Sequence, residues 1–297
     1  MKMRAIIIGS VKFSKAIFMV LNSISELKIV AVITKRDSKI NSDFYSLESD
    51  AVERNIPVLI SNGMDKNNIK QFIKKSNIDI GFCIGWSHIL SEDILNMAVK
   101  GFIGYHPAHL PYNRGRHPLI WALSLGLSKT SSTFFLMNKN ADEGKILDQK
   151  TIIINKNDNA NSLYNKVIKT ASKQLPVLIK NYFQDTIIIK KQNLKKGNIW
   201  RKRSYLDGKI DWRMNFKAID FLVRSLSKPY PGATCTYNDQ KIIVWKVKKG
   251  VYIKNNIEPG KIININNNKI IVKCWGGSVI LEEHDFKKLP SNGEYLF

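Results

Sequence analysis

Ala5-Ile6-Ile7-Ile8-Gly9-Ser10 opens the chain with a continuous apolar run that stops at a glycine. A stretch of helical periodicity follows through Ala16, Ile17, Val20 and Leu21, and Lys28 to Ile33 is a second β-branched run. Strand, glycine turn, helix and strand in that order predict a parallel, doubly wound sheet. The turn lacks the full Gly-x-Gly-x-x-Gly spacing, so it does not by itself specify a dinucleotide.

The alternation continues outward from that start. Ile56 to Ile60 reads as a strand, Asn68 to Lys75 as a helix and Ile78 to Ile84 as a buried strand. Ser91, with Glu92 and Asp93 behind it, predicts a capped helix through Ile94 and Met97. Phe102 to Tyr105, Ser132 to Met137 and Ile152 to Ile154 read as further strands, and Pro118 as the start of a helix. Asp158 or Asn159 caps a long amphipathic helix to about Tyr182. Past residue 185 the character changes. Lys190 to Arg203 is basic, Phe216 to Ser227 is helical, and five short alternating runs follow between Ala233 and Glu282, punctuated by Pro259-Gly260 and Gly276-Gly277. These predict an α/β chain: a doubly wound, Rossmann-like domain over 1–190 and a small, mostly β, open barrel-like domain over 191–297.

Composition sets the outer bounds. The 297 residues are 44% hydrophobic, enough for two cores. The formal net charge of +23 attracts anions, from nucleotides to nucleic acid, without choosing among them. Cys83, Cys235 and Cys274 are too widely spaced for a zinc pattern and odd in number, so they read as small buried apolar residues. No run approaches the ~20 apolar residues that span a bilayer, and none resembles a signal peptide, which predicts a cytoplasmic protein without membrane partners.

The chemistry concentrates in Gly104-Tyr-His106-Pro-Ala-His109-Leu-Pro111 and Asn113-Arg114-Gly-Arg-His117-Pro118, a loop after a strand where ligands of doubly wound folds bind. His106 and His109 have no third ligand nearby, and the prolines oppose a helix, so no metal is expected. Downstream, Ala141-Asp142-Glu143-Gly144 ends another strand. A carboxylate there can orient an imidazole at the same rim, or it can be an ordinary turn residue.

His106-Pro-x-x-Leu-Pro-x-x-Arg-Gly-x-x-Pro followed by Ala-Asp-Glu-Gly resembles the folate-dependent formyltransferase family. Residues 201–233, with Asp207-Gly-x-Ile-Asp-Trp212 and Lys228-Pro-Tyr-Pro-Gly-Ala233, resemble the C-terminal module of its sugar N-formyltransferases and their tRNA relatives. The resemblance implies catalytic roles for His106 and Asp142 and a co-substrate, N10-formyltetrahydrofolate, bound by Gly85, Trp86, Ser87, His88, Ile89 and Leu90. It implies acceptor contacts from Asn113, Arg114 and His117. The family's catalytic asparagine falls on Gly104, which removes the usual oxyanion donor. Space beside Gly104 is expected to admit a water or a side chain such as Asn113. The implied acceptor is a nucleotide-linked amino sugar of surface polysaccharide or lipopolysaccharide biosynthesis. The alternatives are methionyl-tRNA formyltransferase and a catalytically impaired member that binds folate or anions. The segment Lys35 to Glu48 is short and mixed in sign, which disfavours tRNA. The resemblance leaves room for a homodimer built through the C-terminal region.

Overall fold

The computed structural model describes residues 2–37, 42–252 and 256–297. Residues 38–41, in the segment weighed against tRNA, lie outside the described residues. By its internal packing the chain divides into two units. The first comprises Met1–Pro118, Thr130–Ile153 and Asn165–Trp200, and the second Leu119–Lys129, Ile154–Tyr164 and Arg201–Phe297.

The N-terminal half runs β1 (Met3–Ile8), α1 (Lys12–Ser23), β2 (Leu27–Thr34), α2 (Glu48–Val52), β3 (Val58–Ile60), α3 (Lys66–Ser76), β4 (Ile80–Cys83), α4 (Glu92–Leu95) and β5 (Phe102–His106). The short β6 (Arg114–Gly115), α5 (Pro118–Ser124), β7 (Lys129–Leu136), β8 (Ile146–Ile153), α6 (Ala160–Phe183) and β9 (Ile199–Trp200) follow. Seven strands form one sheet in the order β3-β2-β1-β4-β5-β7-β8. The first five are parallel, and Ala5 to Ile8 are fully buried, as expected of a strand covered on both faces. β7 runs antiparallel to β5, with His106 paired to Thr133. A period-2 pattern carries no strand direction, so that reversal was not readable from sequence.

Local chemistry explains most element ends. Asp65 caps α3 by accepting from the Asn68 amide at 3.0 Å, and Asn77 closes it in the left-handed conformation. Asn159 rather than Asp158 caps α6, accepting from the Ser162 amide at 3.0 Å. The helix expected through Met97 stops at Leu95 instead. Ser91 gives it no side-chain cap, because the hydroxyl pairs with the Asp93 carboxylate.

In the second unit, α7 (Phe216–Ser225) and strands β10 (Ala233–Tyr237), β11 (Gln240–Lys249), β12 (Ile262–Asn266), β13 (Lys269–Cys274) and β14 (Gly277–His284) surround a separate core. The strands make an open antiparallel sheet, β10-β11-β14-β13-β12. Ile219, Leu222 and Val223 of α7 bury against Val244, Val272 and Leu281. All three cysteines are free and buried, and burial pushes the Cys83 and Cys235 thiols up to about 12, which leaves them unreactive. Among the described residues no helix is long and apolar enough to cross a membrane.

Candidate active site

His106 is the last residue of β5 and is buried. Its Nδ1 lies 3.5 Å from Asp142 Oδ2, and its Nε2 lies 2.8 Å from the carbonyl oxygen of Asn113. A carbonyl only accepts, so Nε2 is the donor of that bond. The ring therefore meets an oxygen acceptor on each side, and a proton taken up on Nδ1 faces a carboxylate.

Asp142 reaches this position from the turn after β7, with φ at 58° in the left-handed region. Few side-chain-bearing residues sit there without support. Gln192 supplies it: its Nε2 donates to the carbonyl of Asp142 at 2.8 Å and to that of Gly144 at 2.7 Å. Gly144 has no alternative residue, since a Cβ would lie 1.6 Å from the Leu136 carbonyl oxygen. The Asp142 carboxylate accepts from the Gly115 amide at 2.9 Å.

One loop thus holds both members of the pair, through the Asn113 carbonyl and the Gly115 amide. Its backbone is left-handed at alternate positions, with φ of 62° at Asn113, 98° at Gly115 and 56° at His117. Pairing with β9 fixes that shape: Arg114 opposes Ile199 and Gly115 opposes Trp200. The Asn113 amide donates to Asn198 Oδ1 at 2.8 Å. Upstream, Thr130 and Thr133 donate to the carbonyls of Pro107 and Ala108 at 2.8 and 2.7 Å. The buried hydroxyls of β7 are therefore the floor under the loop. His109 turns to that floor as well, its Nδ1 3.0 Å from Ser131 Oγ.

The remaining sequence-predicted residues separate into distinct settings. Arg114 is buried, and its guanidinium donates to Glu143 Oε1 at 2.6 Å, so its charge is already balanced. Gly104 is not beside open space. A Cβ there would lie 2.8 Å from Phe135 Cζ and 2.9 Å from Met137 Cγ. Two apolar side chains occupy the volume expected to admit a water or Asn113, and Asn113 instead offers its backbone carbonyl to His106. Gly85 makes room for the chain's own Val11 and Ser14. Trp86 Nε1 is buried without a hydrogen-bond partner. Leu90 belongs to the core, while Ile89 is exposed. His88 has cationic company: Lys35 Nζ donates to its Nε2 at 3.3 Å. Burial first, then the charges of Lys35 and Arg116, lowers its pKa below the ordinary value. Among the described residues no group of three or more His, Cys, Asp or Glu could hold a metal ion.

Sequence reading missed Gln192, Glu143, Asn198 and Lys35. Gln192 and Asn198 act across 50 and 85 residues of chain, and no local pattern marks them. Glu143 was quoted only as part of the Ala-Asp-Glu-Gly turn.

A doubly wound sheet with His106 at the end of β5 and Asp142 against it frames a candidate active site, and comparison with known proteins specifies its class. Residues 1–179 match the formyl transferase family, and residues 202–296 match the formyl transferase C-terminal domain. The chain belongs to the formyl transferase family. It is 34% identical over 255 residues to the bifunctional polymyxin resistance protein ArnA of Wigglesworthia glossinidia brevipalpis, covering 83% of this chain and 38% of that protein. The chain thus spans well under half the length of that relative. An N-formyltransferase from Helicobacter canadensis, solved with folinic acid and dTDP-3-aminofucose, has the same fold at a TM-score of 0.65, with 18% identity over 95% of this chain and 99% of that one. Methionyl-tRNA formyltransferase from Clostridium thermocellum superposes at a TM-score of 0.61, with 17% identity over 91% of this chain and 97% of that one.

Proposed function

We propose that the chain transfers a formyl group from N10-formyltetrahydrofolate to the amine of a nucleotide-linked amino sugar, as a cytoplasmic step in making a surface polysaccharide or lipopolysaccharide sugar. The observation that carries this reading is the His106–Asp142 pair, 3.5 Å apart and clasped by one loop. The amine nitrogen attacks the formyl carbon and gives up a proton to His106, whose ring Asp142 orients. The tetrahedral intermediate then collapses: the bond from carbon to N10 of the folate breaks, and a proton goes to N10 as it leaves. Catalysis rests in the domain read as 1–190, with the segment through Trp200 stapled to its loop.

Residues 84–90 suit the folate carrier. They offer the flat indole of Trp86 and one buried donor, Trp86 Nε1, that has no partner among the described residues. Asn113, Arg114 and His117 line the acceptor side of the loop, with Arg114 already neutralised by Glu143. Because Phe135 and Met137 fill the side of Gly104, the oxyanion donor is a backbone amide or the protonated His106 rather than a residue at that position.

The test is incubation with N10-formyltetrahydrofolate and a panel of nucleotide-linked amino sugars, read by mass spectrometry as formyl gain. Formylation of a sugar and none of methionyl-tRNA is the expected result. The reverse result would make this the tRNA enzyme. No gain on any amine, with folate binding intact, would identify an impaired member.

A further inference from the structure

Lys35 follows the last residue of β2, and only 8% of its surface is exposed. Among the described residues no carboxylate forms an ion pair with it. Its ammonium group donates to His88 Nε2 at 3.3 Å and sits 5.2 Å from the centre of the Trp86 ring. Burial lowers its pKa, and Arg116 adds a further positive charge to the field at His88. A buried cation without an anion is costly, and chains seldom keep one for packing alone. Beside it, among the described residues, stands a donor with no partner, the buried Trp86 Nε1. Two donors and no acceptor anion describe a site completed by an oxyanion.

The sheet order fixes where that oxyanion sits. β2 and β5 are separated by β1 and β4, so the ends of the two strands stand three spacings, about 14 Å, apart. The backbone of Lys35 therefore starts well away from that of His106. Lys35 is at the right reach to hold the remote, charged part of a ligand whose reacting end is at His106, where binding affinity can position the chemistry.

We propose that Lys35, with Trp86 and His88 around it, is a subsite for an oxyanion, phosphate or carboxylate, carried by one of the two reactants. It rests on the formyl-transfer reading for its ligand but not for its existence. His88 is the neutral wall of this site: its Nε2 accepts from Lys35 and fixes the direction of the ammonium group.

The experiment compares the wild-type chain with Lys35→Met and Lys35→Arg, using calorimetry and thermal melting rather than turnover. The probes are inorganic pyrophosphate, dTDP, folinic acid, and the corresponding formyltetrahydropteroate, which lacks the glutamate. Lys35→Met should weaken the responding anion about tenfold or more, and Lys35→Arg should retain most of the affinity. Without ligand, Lys35→Met should melt at the same temperature as wild type or higher, because an unpaired buried charge is gone. Response to pyrophosphate and dTDP assigns the anion to the acceptor's phosphates. A response seen with folinic acid but lost with the pteroate assigns it to the folate carboxylates. If all four probes bind Lys35→Met as they bind wild type, or if Lys35→Met melts lower with no change in any affinity, Lys35 is structural and the proposal fails. Because binding is measured directly, that failure is separable from an absence of formyl transfer.

Discussion

Two histidines stand at the carboxyl-end rim of the same sheet in opposite electrostatic company. His106 has a carboxylate on one ring nitrogen and a carbonyl on the other. His88 has a lysine on one ring nitrogen and Arg116 nearby. The second surrounding disfavours a proton on the ring, through burial first and then the two positive charges. The same side chain is therefore set between two oxygen acceptors in one place and beside cations in the other, the first setting being the one that suits the proposed proton carrier.

Replacing each histidine sharpens the contrast most. His106→Asn should reduce kcat by about a hundredfold to ten-thousandfold while circular dichroism shows a folded protein. His88→Asn should act mainly on KM. A folded His106→Asn variant with near-normal kcat would remove the proton carrier from the argument, and equal kcat losses in both variants would erase the distinction.

The support beneath the His106 side is the next target. Gln192→Leu leaves the half-buried carbonyl of Asp142 and the buried one of Gly144 without their donor, which should cost about 1–3 kcal/mol in urea denaturation. It should also lower kcat with little change in KM, because the Asp142 turn loses its brace. If stability falls and kcat does not, the turn holds its geometry without Gln192. Gly104→Asn should be destabilising by about 1–3 kcal/mol, since its Cβ collides with Phe135 and Met137. Adding Met137→Ala should recover part of that loss, and failure to do so would mean the packing yields elsewhere.

The smallest effect belongs to His88 and pH. Its folded pKa lies below the ordinary 6.5, so the fold favours the neutral ring. The stability this contributes is complete above the unfolded value. As pH falls below about 6.5 the unfolded chain takes the proton first, and stability declines until the lower folded value is passed. His88→Gln should flatten that slope in denaturation midpoints measured from pH 7 down to about 5. An unchanged slope would assign the acid sensitivity to other groups.

How much of this was legible follows from the range over which each feature acts. The strand–glycine–helix start and the alternating C-terminal runs are local patterns, and β10 runs over Ala233–Tyr237 as the sequence predicted. The His106 and Asp142 motifs were legible because each is contiguous, but β7 runs antiparallel to β5 and ends beside Ile103, so it is the turn after the strand, not the strand pairing, that brings Asp142 back to His106. Gln192 was invisible because a single glutamine in a basic stretch carries no periodicity. The filling of the space at Gly104 was invisible for another reason. Phe135 and Met137 read as ordinary apolar residues, and only the register that sets Gly104 against Phe135 aims them there. Lys35 looked like one of many lysines, and burial alone distinguishes it.

The loop over residues 113–117 has a consequence for anyone building hybrids of this protein. Its alternate left-handed residues are shaped against β9, and a side chain at Gly115 would meet the Trp200 carbonyl oxygen at 2.3 Å. Loop and strand are two halves of a single mould, separated in the gene by some eighty codons. A chimera that imports residues 107–118 from a relative, to change the acceptor it takes, inherits the wrong mould unless residues 197–200 travel with them. The unit of exchange is this discontinuous pair, and libraries drawn on the loop alone would sample mostly sequences that cannot close around His106.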